Sequence, residues 1–245
     1  MSHAIITREI GYTTADGTHC VGFFAAPKSD APVAGILVGP EWWGPNEYVL
    51  QRATELAEHG YAAFAMDMYG DKKSTELASQ ASEWMNETFA QPNTLVARAQ
   101  AAFNSLAEQP EVDPKRIAGV GFCYGGKVLL DLARSGADIK AVAAFHAALG
   151  TQTPAKVGQV HAELLVLHGA DDSMVSLDDV AQFEQEMSQA QVKHHVHILA
   201  HAKHGFTNPL ADQRAKANNI DLAYNAEAEK TGMAEMYRLF KEKLA

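Results

Sequence analysis

The chain has 245 residues, 47% of them hydrophobic, with a formal net charge of −10, a balance that suits one α/β domain with a sizeable core and sets polyanions such as nucleic acid aside as partners. Two cysteines, Cys20 and Cys123, are too few for a disulfide framework, a C-x-x-C redox pair or a zinc-ligand set. No basic-then-apolar leader and no segment of bilayer-spanning length is present, so a soluble, cytoplasmic protein with no membrane partner is expected.

In chain order, residues 5 to 14 and 18 to 26 read as two strands joined by Ala15-Asp16-Gly17, whose Asp-Gly pair is a hairpin signal. A strand at 33–38, a helix at 46–59 and a strand at 61–66 follow, then helical stretches between 75 and 108 with a break expected at Pro92. Strands near 116–122, 140–145, 163–168 and 193–199 alternate with helices near 125–135 and 177–190, and from 211 the pattern is helical with a break expected at Thr231-Gly232. This alternation predicts one domain over residues 1–245, with a mostly parallel sheet, helices on both faces, an antiparallel N-terminal edge and no large lid.

Gly121-Phe122-Cys123-Tyr124-Gly125-Gly126 places a cysteine in a Gly-x-nucleophile-x-Gly turn between a predicted strand and a predicted helix. Such a turn strains the nucleophile's backbone, and glycines on either side let helix and strand approach. At a helix start a thiolate also meets unpaired N–H groups and the positive end of the helix dipole. A buried structural cysteine in a Gly-rich turn is the competing reading of this stretch alone. Two later segments favour chemistry. Leu164-Leu165-Val166-Leu167 runs into a loop bearing Asp171 and Asp172, where an orienting carboxylate belongs, and His195-Val196-His197-Ile198-Leu199 runs into a loop bearing His204-Gly205. The order nucleophile, acid, histidine is that of the α/β-hydrolases.

Together these residues resemble the dienelactone hydrolase family, whose nucleophile is a cysteine in a G-x-C-x-G-G turn. Val38-Gly39-Pro40-Glu41-Trp42-Trp43-Gly44-Pro45-Asn46 and Asp67-Met68-Tyr69 extend the likeness, which runs over nearly the whole chain. The resemblance implies an α/β-hydrolase fold and a hydrolase of esters or lactones. In it Cys123 attacks, His204 acts as base and Asp172 orients the imidazole, with Asp171 as the alternative acid. The backbone N–H groups of Trp42 and Tyr124 occupy the oxyanion-hole positions. It implies too that Glu41 hydrogen-bonds the resting thiol and moves when substrate binds. A loop carboxylate capping the helix at 46 is the plainer reading of Glu41.

The resemblance departs at Asn208, where dienelactone-cleaving members carry an arginine, and no arginine lies between Arg52 and Arg98. A pocket lined by Trp42, Tyr124 and Phe206, with Asn208 beside it, is therefore expected to favour neutral aryl or acyl esters; Trp43, Trp84, Met85 and Phe89 could line the pocket or belong to the core. Thioesters or activated phosphotriesters at the same site, and a non-enzymatic binding or redox-sensing module, are the other function classes. No cofactor is expected, and His195 with His197 would make only half of a metal site. His146 and His168 are expected at strand ends, as pocket lining or as buried hydrogen-bonding groups. Cys20 reads as core, and Lys72-Lys73 and Lys241-Glu242-Lys243 read as solvated faces. A small-molecule partner and a monomer or homodimer complete the expectations.

Overall fold

A computed structural model describes residues 4–90 and 93–245. The N-terminal hairpin pairs β1 (Ile5–Thr13) with β2 (His19–Pro27), and Gly17, at φ 82°, closes the turn by donating to the Thr14 carbonyl at 2.9 Å. Next come β3 (Val33–Gly39), α1 (Glu47–Glu58), β4 (Ala62–Ala65), α2 (Ala78–Ala90) and α3 (Thr94–Ala107). The chain continues through β5 (Val112–Phe122), α4 (Tyr124–Arg134), β6 (Ala141–Phe145), β7 (Glu163–Gly169), α5 (Leu177–Gln189), β8 (His194–Leu199), α6 (Ala211–Asn218) and α7 (Ala226–Lys243).

The strands form one sheet in the order β1-β2-β4-β3-β5-β6-β7-β8. β2 is antiparallel to both of its neighbours, and every pairing from β4 to β8 is parallel. A parallel strand covered on both faces must be apolar throughout, and β6 and the run Leu164–Leu167 of β7 are buried at every position. Alternation still divides them. Val142, Ala144, Leu164 and Val166 join the core under α3, α4 and α5, whereas Ala141, Ala143, Phe145, Leu165 and Leu167 join the core under α1 and α7. Helices thus cover both faces, no lid domain interrupts the described residues, and the strands' C-terminal ends are left for the site, the crevice that open α/β sheets use for ligands.

Three expectations need revision or fall elsewhere. The break at Thr231-Gly232 is absent, because α7 runs through it. Gly232 is there for proximity, since a Cβ on it would lie 2.8 Å from Phe145 Cε1. The irregular stretch lies earlier, between α6 and α7, where Asn219 takes φ 52°. β5 begins before Pro114, because its pairing with β3 jumps from Ala34–Asp113 to Gly35–Ile117 and the intervening residues bulge out. The break expected at Pro92 lies outside the described residues.

Candidate active site

Cys123 follows the last residue of β5 and precedes the first of α4, with φ 52° and ψ −115°. A non-glycine residue in such a region costs about 1–3 kcal/mol and persists only where its surroundings over-determine it. Here the Cys123 N–H donates to the Phe145 carbonyl at 2.9 Å, its own carbonyl accepts from the Lys127 N–H at 3.2 Å, and α4 presses on the sheet. A Cβ on Gly121 would collide with the Gly125 backbone, and one on Gly125 with the backbone of Gly39. The glycines of the motif are therefore what bring the start of α4 against β3 and β5. Tyr124 is the first residue of α4, so its N–H has no carbonyl one turn back to meet.

The two carboxylates after β7 have separate fates. Asp171 is exposed, whereas Asp172 is buried and bonded through both oxygens. Oδ1 accepts the N–H groups of Met174 at 2.9 Å and Val175 at 3.0 Å, while Oδ2 meets His204 Nδ1 at 2.8 Å. Burial works against its charge, but the hydrogen bond and positive charge of His204 with the two amides outweigh it and hold the carboxyl below its usual range.

His204 is itself buried, and its loop is anchored from several sides. Its carbonyl accepts from the Ala223 N–H at 3.2 Å, and Thr207 Oγ1 lies 2.7 Å from the Tyr48 hydroxyl and 2.9 Å from His146 Nε2. Burial opposes an imidazolium here, yet the charge of Cys123 and the Asp172 carboxylate push the His204 pKa up to about 10. Its Nε2 is buried without a hydrogen bond of good geometry, which leaves that nitrogen for a reacting group. The His146 ring lies 5.1 Å away, and burial followed by the His204 charge holds it well below its usual pKa. His146 is thus a buried hydrogen-bonding group, the second of the two roles expected for it.

Glu41 is placed differently from the expectation. Its Oε2 accepts from Asn208 Nδ2 at 2.6 Å and from Arg214 Nη1 at 3.2 Å, and no bond from Glu41 to the Cys123 sulfur is present among the described residues. Burial raises its pKa, and Arg214, Asn208 and His204 only partly offset this. Asn208, expected beside the substrate, is buried and committed to this carboxylate. Phe206, expected to line the pocket, is fully buried instead, with its ring 5.0 Å from that of His146 and 6.2 Å from that of Phe145. A large apolar ring packed against Phe145 in the core gains more there than in a wet cleft.

The cleft over the sulfur has a volume of about 230 Å³ and is walled by Trp42, Met85, Phe89, Tyr124 and Leu222 beside His204. The Trp42 peptide is fixed by the Tyr69 hydroxyl, which donates to its carbonyl at 2.9 Å, and Tyr69 stacks on Tyr124 at 5.7 Å. Trp43 is buried under the Arg214 guanidinium, 5.0 Å from its ring centre, and Trp84 packs against Tyr69. Sequence reasoning missed Arg214 and Lys127. Arg214 lies in the charged helical stretch after residue 211, where nothing local sets it apart, and Lys127, another wall of the cleft, reads as an ordinary helical lysine. Among the described residues no three His, Cys, Asp or Glu side chains gather as metal ligands, and no helix is long and apolar enough to cross a membrane.

Residues 21–244 match the model of the dienelactone hydrolase family. The chain is 35% identical to a dienelactone hydrolase-like promiscuous phosphotriesterase, P91, from metagenomic libraries, with a TM-score of 0.91 over 99% of this chain and all of that one. A structure from Klebsiella pneumoniae, provisionally identified as a dienelactone hydrolase, is 25% identical with a TM-score of 0.75 over 98% of this chain and 100% of that one. A Synechocystis sp. protein provisionally named carboxymethylenebutenolidase is 27% identical over an alignment that covers 91% of this chain and 92% of that protein. With the sheet order and strand-end site above, these likenesses establish an α/β-hydrolase fold and an enzyme that hydrolyses ester bonds: the chain belongs to the dienelactone hydrolase family.

Proposed function

We propose that the enzyme cleaves carboxylic esters or lactones through a thioester on Cys123. The observation that carries this reading is the 2.8 Å hydrogen bond between His204 Nδ1 and the Asp172 carboxylate, with Nε2 left unpaired and a strained, elbow-mounted cysteine lining the same cleft. The Cys123 proton passes to His204, and the sulfur adds to the acyl carbonyl. The N–H groups of Trp42 and Tyr124 receive the developing oxyanion, and one such donor is worth about a hundredfold to a thousandfold in rate. Collapse of the tetrahedral adduct breaks the bond to the alcohol oxygen, which leaves with the His204 proton. Water, deprotonated by His204, then attacks the thioester and returns the acid and the thiol. Asp172 holds the ring and its charge throughout.

Glu41 acts as a positioning residue: Asn208 and Arg214 draw it aside, so contact with the thiol requires it to leave them. The walls of the cleft suit an apolar acyl or aryl group next to the scissile bond. A catalytic free thiol fits a reducing, cytoplasmic setting. The 35% identity to a promiscuous phosphotriesterase favours a second activity, in which the same sulfur attacks phosphorus and expels an aryloxide.

The test is hydrolysis of 4-nitrophenyl acetate and a matched aryl phosphotriester by wild type and Cys123→Ala. Loss of both activities in the variant, with an acyl-enzyme heavier by the acyl group detected by mass spectrometry in wild type, is the expected result. Retention of most kcat by Cys123→Ala would remove the cysteine from the mechanism.

A further inference from the structure

Lys127 stands one helical turn beyond Cys123 on α4, in the wall of the catalytic cleft. It also lines a second cavity of about 530 Å³, between the start of α3 and residues 150–153, and it shares that double position with Phe89. The cleft over the sulfur is smaller than the roughly 300–1,000 Å³ of most small-ligand pockets, so a larger substrate has to continue past it. Phe89 and Lys127 are the residues that the two spaces share.

Lys127 is the single Lys or Arg among the residues that line the cleft. Its side chain is only 12% exposed, and its ammonium bonds to Asp131. Asp131 spends its other oxygen on Arg134 Nη1 at 3.0 Å, and Arg134 grips Glu186 through two further bonds of 2.9 and 2.8 Å. Arg134 and Glu186 therefore tie α4 to α5 without needing the lysine. An ammonium has three donors, and among the described residues the Lys127 ammonium has Asp131 as its one hydrogen-bond partner. The four side chains sum to zero charge, so an arriving anion meets donors and no net repulsion. Arg214, by contrast, is already committed to Glu41, and Asn208 with it.

We propose that Lys127 is a specificity-determining residue, binding a substrate carboxylate placed beyond the scissile ester at the junction of the cleft and the second cavity. The inference rests on the hydrolase reading above and names its substrate class: esters with an apolar segment next to the reacting carbonyl and an anionic group farther along.

The test compares kcat/KM for two matched pairs of esters in wild type, Lys127→Met and Lys127→Arg. One pair, 4-nitrophenyl hydrogen glutarate and 4-nitrophenyl valerate, places the carboxylate on the acyl chain; the other, 4-carboxyphenyl and phenyl butyrate, places it on the alcohol. A charge-assisted bond is worth about 1.5–3 kcal/mol, or roughly tenfold to a hundredfold. Lys127→Met should lower the anionic-to-neutral ratio by at least about fivefold in one pair, mainly through KM, and Lys127→Arg should keep most of it. A smaller change in both pairs overturns the proposal. Should Lys127→Met fail to fold, Asp131→Asn serves instead: freeing the ammonium should raise the ratio, and an unchanged or lower ratio overturns the proposal. Cys123-dependent turnover of the neutral esters with a ratio insensitive to Lys127 sinks this inference alone, whereas no Cys123-dependent turnover of any ester sinks the hydrolase reading and this one with it.

Discussion

Two buried carboxylates sit close enough to His204 to influence its charge, and their environments pull them in opposite directions. Asp172 receives two backbone amides and the imidazole on separate oxygens, and its pKa falls. Glu41 receives two side-chain donors on one oxygen, and burial still raises its pKa despite the nearby guanidinium. Backbone amides are held by the fold and cost nothing to organise, whereas side-chain donors must themselves be ordered and desolvated. Asp172 is thus a permanent anion fit to orient a base. Glu41 is a carboxylate whose charge depends on what its partners do.

The comparison breaks most readily at Asp172. Asp172→Asn should cut kcat by about a thousandfold to ten-thousandfold, because the amide cannot stabilise the imidazolium or hold its tautomer, while Asp171→Asn, at an exposed position, should stay within about threefold of wild type. Steady-state kinetics on one ester decides it, and equal losses would mean that the wrong carboxylate has been assigned.

Arg214→Met tests the other carboxylate. It leaves Glu41 buried beside Asn208 alone, and breaking a buried pair from one side costs about 3–5 kcal/mol unless the acid takes up a proton. Chemical denaturation should show that loss at pH 8 and a smaller one at pH 5, where a protonated Glu41 relieves it. Equal losses at the two pH values would mean that Glu41 does not titrate in response to Arg214.

On the reading that Glu41 moves to contact the thiol, Glu41→Gln removes the negative charge of that contact, so iodoacetamide should alkylate Cys123 faster at neutral pH, by about threefold to tenfold. An unchanged alkylation rate would assign Glu41 to structure alone.

The smallest effect expected is in stability against pH. A carboxyl whose folded pKa is raised takes up its proton more readily in the folded state. Its contribution is therefore fully present below the unfolded value of about 4.5 and is lost as pH rises through the folded value. The melting temperature of wild type relative to Glu41→Gln should accordingly improve as pH falls from 7 to 4. A difference that is flat or of the opposite sign would show that Arg214 keeps Glu41 ionised throughout.

Much of this site was legible because its pieces are local. A nucleophile between glycines, after an apolar strand and before an amphipathic run, specifies its own corner, since each glycine is demanded by backbone contacts within a few residues or by the adjacent strand. The order of Cys123, Asp172 and His204, after β5, β7 and β8, follows from the alternation of elements. The choice between Asp171 and Asp172 needed the turn that offers Asp172 the amides of Met174 and Val175 while exposing Asp171. Phe206 was misplaced because a phenylalanine beside a catalytic histidine reads alike whether it faces a cleft or a core. Gly232 misled for a similar reason: a glycine that admits Phe145 against a helix looks the same in sequence as one that ends the helix.

By itself, then, the sequence determined the class of fold and the elbow, which follow from periodicity and from residue types that a single turn requires, and it named Cys123, Asp172 and His204 as the candidate triad. Only the tertiary structure decided which charges meet. Arg214 reaches Glu41 across 173 residues and Asn208 reaches it across 167, while Lys127, an unremarkable helical lysine in sequence, reaches the cleft because glycines draw α4 down onto the sheet. Long-range pairing of that kind has no local signature, since an arginine in a polar helix carries the same pattern whether it faces water or a buried carboxylate.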